Sequence, residues 1–99
     1  MNSISIVLVV VMVAAAFPVD GWFTGDGDTN WLPYCEFPGG DIGNVRVAGD
    51  QCGRACINNE QCNHFAYRDG VCYLKRHDMG EVKSECTPCD VCGYLGFRP

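Results

Sequence analysis

Residues 52–75 read CGRACINNEQCNHFAYRDGVCYLK, and the fold of the chain is decided there. Asp69-Gly70 is the dipeptide favoured in a two-residue hairpin turn, where both positions take positive φ. Pairing outward from that turn sets Arg68 opposite Val71, Tyr67 opposite Cys72, Ala66 opposite Tyr73, Phe65 opposite Leu74 and His64 opposite Lys75. Side chains alternate across a strand, so Phe65, Tyr67, Cys72 and Leu74 share one face of this hairpin. His64, Ala66, Arg68, Val71, Tyr73 and Lys75 share the other. The first face is apolar and carries a cysteine, so it is expected to look at the helix that precedes the hairpin. The second is expected to look at solvent or a ligand.

Immediately upstream, Asp50 suits the N-cap of a helix running to Asn58 or Asn59, because its carboxylate can accept a bond from the first-turn amides. Cys52 and Cys56 are four apart and so lie on one side of that helix. Ala48, Ala55 and Ile57 can help it pack. A helix of about nine residues is marginal alone, and the two cysteines are its natural fastenings. Further back, Cys35-Glu36-Phe37 reads as a short strand, Pro38-Gly39-Gly40 as a turn, and Ile42 to Val47 as a second extended segment with Val45 and Val47 on one face. Val82 to Cys86 is expected to return as an edge strand.

The ends carry different instructions. Ile4 to Ala16 is an almost unbroken apolar run, shorter than the roughly 20 residues a membrane span needs, and it closes in small residues. Residues 1–21 are therefore expected to be a signal peptide, cleaved after Ala16 or Gly21. Residues 22–34, rich in Gly, Asp, Thr and Asn, are expected to be a flexible leader, with Trp31 and Tyr34 the groups placed to tuck onto the domain. The domain proper is expected at 35–92, and 93–99 as a loose tail from which Tyr94, Leu95 and Phe97 could dock.

The chain has 99 residues, eight cysteines and a net charge of −5, with every acid, every Lys and Arg and every cysteine downstream of the apolar run. Cysteine at about a tenth of a mature chain of roughly 80 residues marks a disulfide scaffold. An even count behind a signal peptide implies an oxidising compartment and a secreted, extracellular product. An acidic chain without a basic stripe is poorly suited to nucleic acid or to anionic membrane, where binding depends on Lys and Arg releasing counterions.

The ordered set Cys52, Cys56, Cys62, Phe65, Tyr67, Cys72 and Leu74-Lys75 resembles the PAN/Apple domain family, and the resemblance covers Cys35 to Cys86. It implies a small disulfide-rich α+β fold: a curved antiparallel β-sheet crossed by one short α-helix. Carried over residue by residue, the resemblance implies that Cys52 pairs with Cys72, Cys56 with Cys62 and Cys35 with Cys86. The hairpin face, which presents Cys72 towards the helix, supports the first of these separately. Cys89 and Cys92 lie outside the family pattern and remain for each other, although either could replace Cys86 as the partner of Cys35.

For catalysis the chain offers His64, His77 and scattered carboxylates, with no nucleophile, base and acid on a recognisable frame, so no enzyme activity is expected. Asp26, Asp28 and Asn30 imitate the start of a calcium loop, but Trp31 stands where Gly is needed and Phe37 where a bidentate Glu is needed. Cys86-Thr-Pro-Cys89-Asp-Val-Cys92 holds two C-x-x-C spacings that could hold zinc with His77 or shuttle disulfides. Zinc thiolates usually belong to reducing compartments, and no thioredoxin-like pattern accompanies the motif. No metal and no cofactor is therefore expected. Arg68, Tyr73, Lys75 and Arg76 mix aromatic and cationic groups, the types enriched at binding hot spots, and are ligand-binding candidates, a plain solvated face being the simpler alternative. The family's ligands imply an extracellular protein or glycan as partner. The rival reading is a secreted effector, toxin or inhibitor on the same scaffold, with Gly39 to Gly49 as its blocking loop.

Overall fold

The Asp69-Gly70 turn forms with φ of 54° and 79°, both in the left-handed region that this dipeptide tolerates. It joins β5 (His64–Arg68) to β6 (Val71–Lys75) in the register expected from the sequence, Tyr67 opposite Cys72 and Phe65 opposite Leu74. The computed structural model describes residues 21–78 and 83–98. Around the hairpin it places β1 (Phe23–Thr24), β2 (Thr29–Pro33), β3 (Cys35–Glu36), β4 (Asp41–Arg46), α1 (Cys52–Ile57), β7 (Ser84–Glu85) and β8 (Val91–Leu95). Six strands form one antiparallel sheet in the order β1-β2-β8-β5-β6-β4, and β3 pairs with β7 in a second, two-stranded sheet. This is a small disulfide-rich α+β fold in which one short helix crosses an antiparallel sheet. Among the described residues no helix is long and apolar enough to cross a membrane.

The helix covers the hairpin face that the alternation predicts. Cys52, Cys56, Cys62, Phe65, Cys72, Leu74 and Leu95 form one buried cluster, with Trp31, Val47, Ala55, Ile57, Tyr67 and Val91 packed around it. Disulfides Cys52–Cys72 and Cys56–Cys62 fasten the helix to this cluster. The entry to the helix differs from expectation. A 3-10 turn at Gly49–Gln51 leads directly into α1, and no side chain caps either start. Because Asp50 sits inside that turn, its carboxylate is not in N-cap position, and Gln51 N–H donates instead to the Ala48 carbonyl. Ala48 is exposed and adds nothing to the packing.

The opposite face of the hairpin is partly covered, which the alternation alone did not show. Cys35, Phe37, Ala66 and Cys92 form a second buried cluster, with Trp22, Leu32 and Tyr94 against it. Two disulfides differ from Cys35–Cys86, which the resemblance implies, and from Cys89–Cys92, the pair left over, and Cys92 takes the place of Cys86 as one of the two alternatives allowed. Cys35 bonds to Cys92, and Cys86 bonds to Cys89. The reason is the position of β8. It lies between β2 and β5, so Cys92 is opposite both Leu32 and Ala66, on the face where Cys35 is buried. Cys86 follows β7 and closes a local turn, in which Cys89 N–H donates to the Cys86 carbonyl.

Residues 22–34, expected as a flexible leader, contribute β1 and β2, and the expected loose tail supplies the end of β8. Neither segment carries the turn dipeptide and alternation that mark β5 and β6, and β2 and β8 become strands by pairing with each other. Gly93 marks how closely they meet, since a Cβ there would lie 2.2 Å from Cζ of Phe65 and 2.4 Å from the Asn30 carbonyl oxygen. Beyond β8, Arg98 folds back onto the end of α1 and donates to the carbonyls of Cys56, Ile57, Asn59 and Cys62. Phe97 is exposed and does not dock. The expected signal peptide, apart from Gly21, and Val82 of the expected edge strand lie outside the described residues.

Candidate functional site

A groove of about 580 Å³ opens beside the helix. Its apolar side follows from strand register. Trp31 of β2 lies opposite Gly93 of β8, which lies opposite Phe65 of β5, and one step along Val91 lies opposite Tyr67. Residues directly opposite one another project to the same side of a sheet, so Trp31, Phe65, Tyr67 and Val91 make a continuous apolar surface on the helix side. The ring of Phe23 stacks on Trp31 with centroids 4.8 Å apart and supports it from the sheet edge. Tyr67 is held by its hydroxyl, which donates to the Val47 carbonyl at 2.7 Å.

The polar side comes from three connections. The turn between β1 and β2 gives Asp26, the 3-10 turn and first turn of α1 give Asp50, Gln51 and Arg54, and the approach to β8 gives Asp90. One Asp90 oxygen accepts from the backbone amide of Asp69 at 3.3 Å, which links this rim to the hairpin turn. Asp26, Asp50, Arg54 and Asp90 are all exposed. A concave apolar surface with a few convergent polar groups is the usual form of a binding site.

The residues singled out as ligand candidates divide. Arg68 and Tyr73 do come together on the outer face, the guanidinium carbon 5.8 Å from the ring centroid. They line a smaller pocket of about 300 Å³ with Glu36, Pro38, Gly39, Asp41 and Lys75. Lys75, expected at the surface, is only 6% exposed. Strand β4 pairs with β6 so that Asp41 is opposite Lys75, and the ammonium is taken up by an ion pair with Asp41 and a bond to the Gly39 carbonyl. Arg76 lies outside the pocket lining. Its side chain pairs with Asp78 at 2.8 Å and donates to the Gln61 carbonyl. Two of the four candidates are thus drawn into structural pairing.

Other candidates resolve similarly. The calcium-like stretch becomes a 3-10 turn at Asp26–Asp28 that leads into β2. The groups within reach of the Cys86 and Cys89 sulfurs are Glu36 and not His77, and those two cysteines are bonded to each other. The proposed blocking loop at Gly39 to Gly49 is largely strand β4, paired along β6. Most of the groove is not legible in the sequence, because its residues are spread from Gly25 to Val91. Trp31, an aromatic residue in a polar stretch, was the single local signal.

The family described as PAN domain matches residues 34–94, and the chain belongs to that family. PAN domains are binding modules for proteins and carbohydrates, and their disulfide-rich form is typical of extracellular proteins. Comparison with curated proteins and with solved structures found no match.

Proposed function

We propose that this chain is a secreted recognition module that binds an extracellular protein or carbohydrate and performs no catalysis. The groove of about 580 Å³ beside α1 carries this reading. It joins an aromatic surface to a rim of groups able to accept and donate hydrogen bonds, and its walls are held by disulfides on the helix side. A stapled frame of this kind loses little freedom when a ligand binds, which favours recognition. All eight cysteines are paired, in keeping with an oxidising, extracellular setting. The apolar run at Ile4 to Ala16 supports export.

The test is a glycan array together with pull-down from extracellular extracts, using the wild type, Trp31→Ala, and the double variant Arg68→Ala with Tyr73→Ala. Loss of a specific ligand with Trp31→Ala and its retention by the double variant is expected. The opposite pattern would move the site to the outer face. A wild type that retains nothing from either source would remove the proposal.

A further inference from the structure

The groove has a chemical bias that narrows its partner. Its lining includes three carboxylates, Asp26, Asp50 and Asp90, against one guanidinium, Arg54. Ionised carboxylates only accept hydrogen bonds. The Tyr67 hydroxyl is already donating to Val47, so it does not offer its proton to a ligand. Trp31, with Phe23 stacked on one side of its ring, and Tyr67 line the groove, and aromatic rings of this kind attract cations. Acceptors, π-faces and an excess of negative charge therefore occur together in one concavity, on a chain whose net charge of −5 draws cationic partners from a distance.

Resting on the reading of this groove as the binding surface, we propose that its occupant is a basic segment of an extracellular protein, which inserts an arginine or lysine side chain between the aromatic surface and the acidic rim. The aliphatic stem of such a side chain covers the apolar surface while its head reaches the carboxylates, a division of labour that long cationic side chains favour. Arg54 does not oppose this. It faces the groove as a single charge, and the three carboxylates outnumber it.

The experiment is an NMR titration of the full secreted chain with short peptides of the form Gly-Gly-X-Gly-Gly, X being Arg, Lys, Gln or Glu. It follows the indole N–H signals of the two tryptophans. Trp31 lines the groove, and Trp22 packs on the opposite face and serves as the internal control. The Arg and Lys peptides are expected to shift the Trp31 signal and to bind about tenfold more tightly than the Gln peptide, with the Glu peptide weakest. The preference should diminish as salt rises and largely disappear in Asp50→Asn with Asp90→Asn, where the amide still accepts the Asp69 bond. Equal affinity for Arg and Gln peptides, no binding of any peptide, or a preference that survives neutralisation of both aspartates would overturn the proposal. If Trp31→Ala loses an extracellular ligand while the peptides show no charge preference, the groove stands and its cation specificity falls. If Trp31→Ala loses nothing, the groove reading falls with it.

Discussion

Replacing Arg98 with alanine removes a group on which the end of the helix depends. Its Nη1 lies 2.8 Å from the Asn59 carbonyl, 2.9 Å from that of Cys62 and 3.2 Å from that of Cys56, and its Nη2 lies 3.1 Å from that of Ile57. Of these carbonyls, those of Cys56 and Ile57 close the helix, at the negative end of its dipole, and those of Cys56 and Asn59 also accept from the backbone amides of Asn59 and Cys62, so the guanidinium adds to the bonding of this turn. A planar guanidinium can reach several of them at once. Bonds to a charged donor are worth roughly 1.5 to 3 kcal/mol each where buried, but Arg98 is half-buried and water will satisfy part of what it leaves. The net loss is therefore nearer that of one such bond than of four, about 2 kcal/mol. In a domain of this size a loss of that order lowers Tm by about 8 to 16 °C. Circular dichroism melts with disulfides intact measure it directly. Arg98→Lys should recover less than half of the loss, because an ammonium cannot fork across several acceptors. A melt of Arg98→Ala within about 2 °C of wild type would refute the claim that this side chain secures the helix end.

Gly93→Ala should destabilise by about 1 to 3 kcal/mol, because the added methyl meets both the Phe65 ring and an immovable backbone oxygen. An unchanged urea midpoint would count against the packing of β2 on β8. Asn63→Ala should cost about 1 to 3 kcal/mol for each polar group left unpaired, since its fully buried amide donates to the His77 carbonyl at 2.7 Å and accepts from the His77 amide at 2.9 Å. Asn63→Asp keeps the acceptor but sets a buried carboxylate oxygen against the His77 carbonyl, so in denaturant unfolding at neutral pH it should lose at least as much as Asn63→Ala. Proteolysis on the amino side of Asp90 should release Cys92 joined to Cys35, with Cys86 and Cys89 bridged on one fragment. A fragment joining Cys89 to Cys92 would contradict the observed connectivity. Loop entropy further predicts about 4 kcal/mol for loss of Cys35–Cys92 against about 2 for loss of Cys86–Cys89, read from unfolding of the paired alanine variants.

The central hairpin, its register and the side facing the helix were legible from Asp69-Gly70 and the alternation around it. The spacing of Cys52 and Cys56 likewise placed both on one side of a short helix. These features are local, since a residue's backbone preference and its face on a strand depend on itself and its near neighbours. Pairing of β2 with β8, the bond from Cys35 to Cys92, the burial of Lys75 under Asp41 and the return of Arg98 to the helix end were not legible. Each joins segments remote in sequence, and its formation depends on how the intervening chain closes and on what fills the space between. The groove belongs with these, because its aromatic surface exists only once Trp31, Phe65 and Tyr67 are brought together by a strand from the far end of the chain.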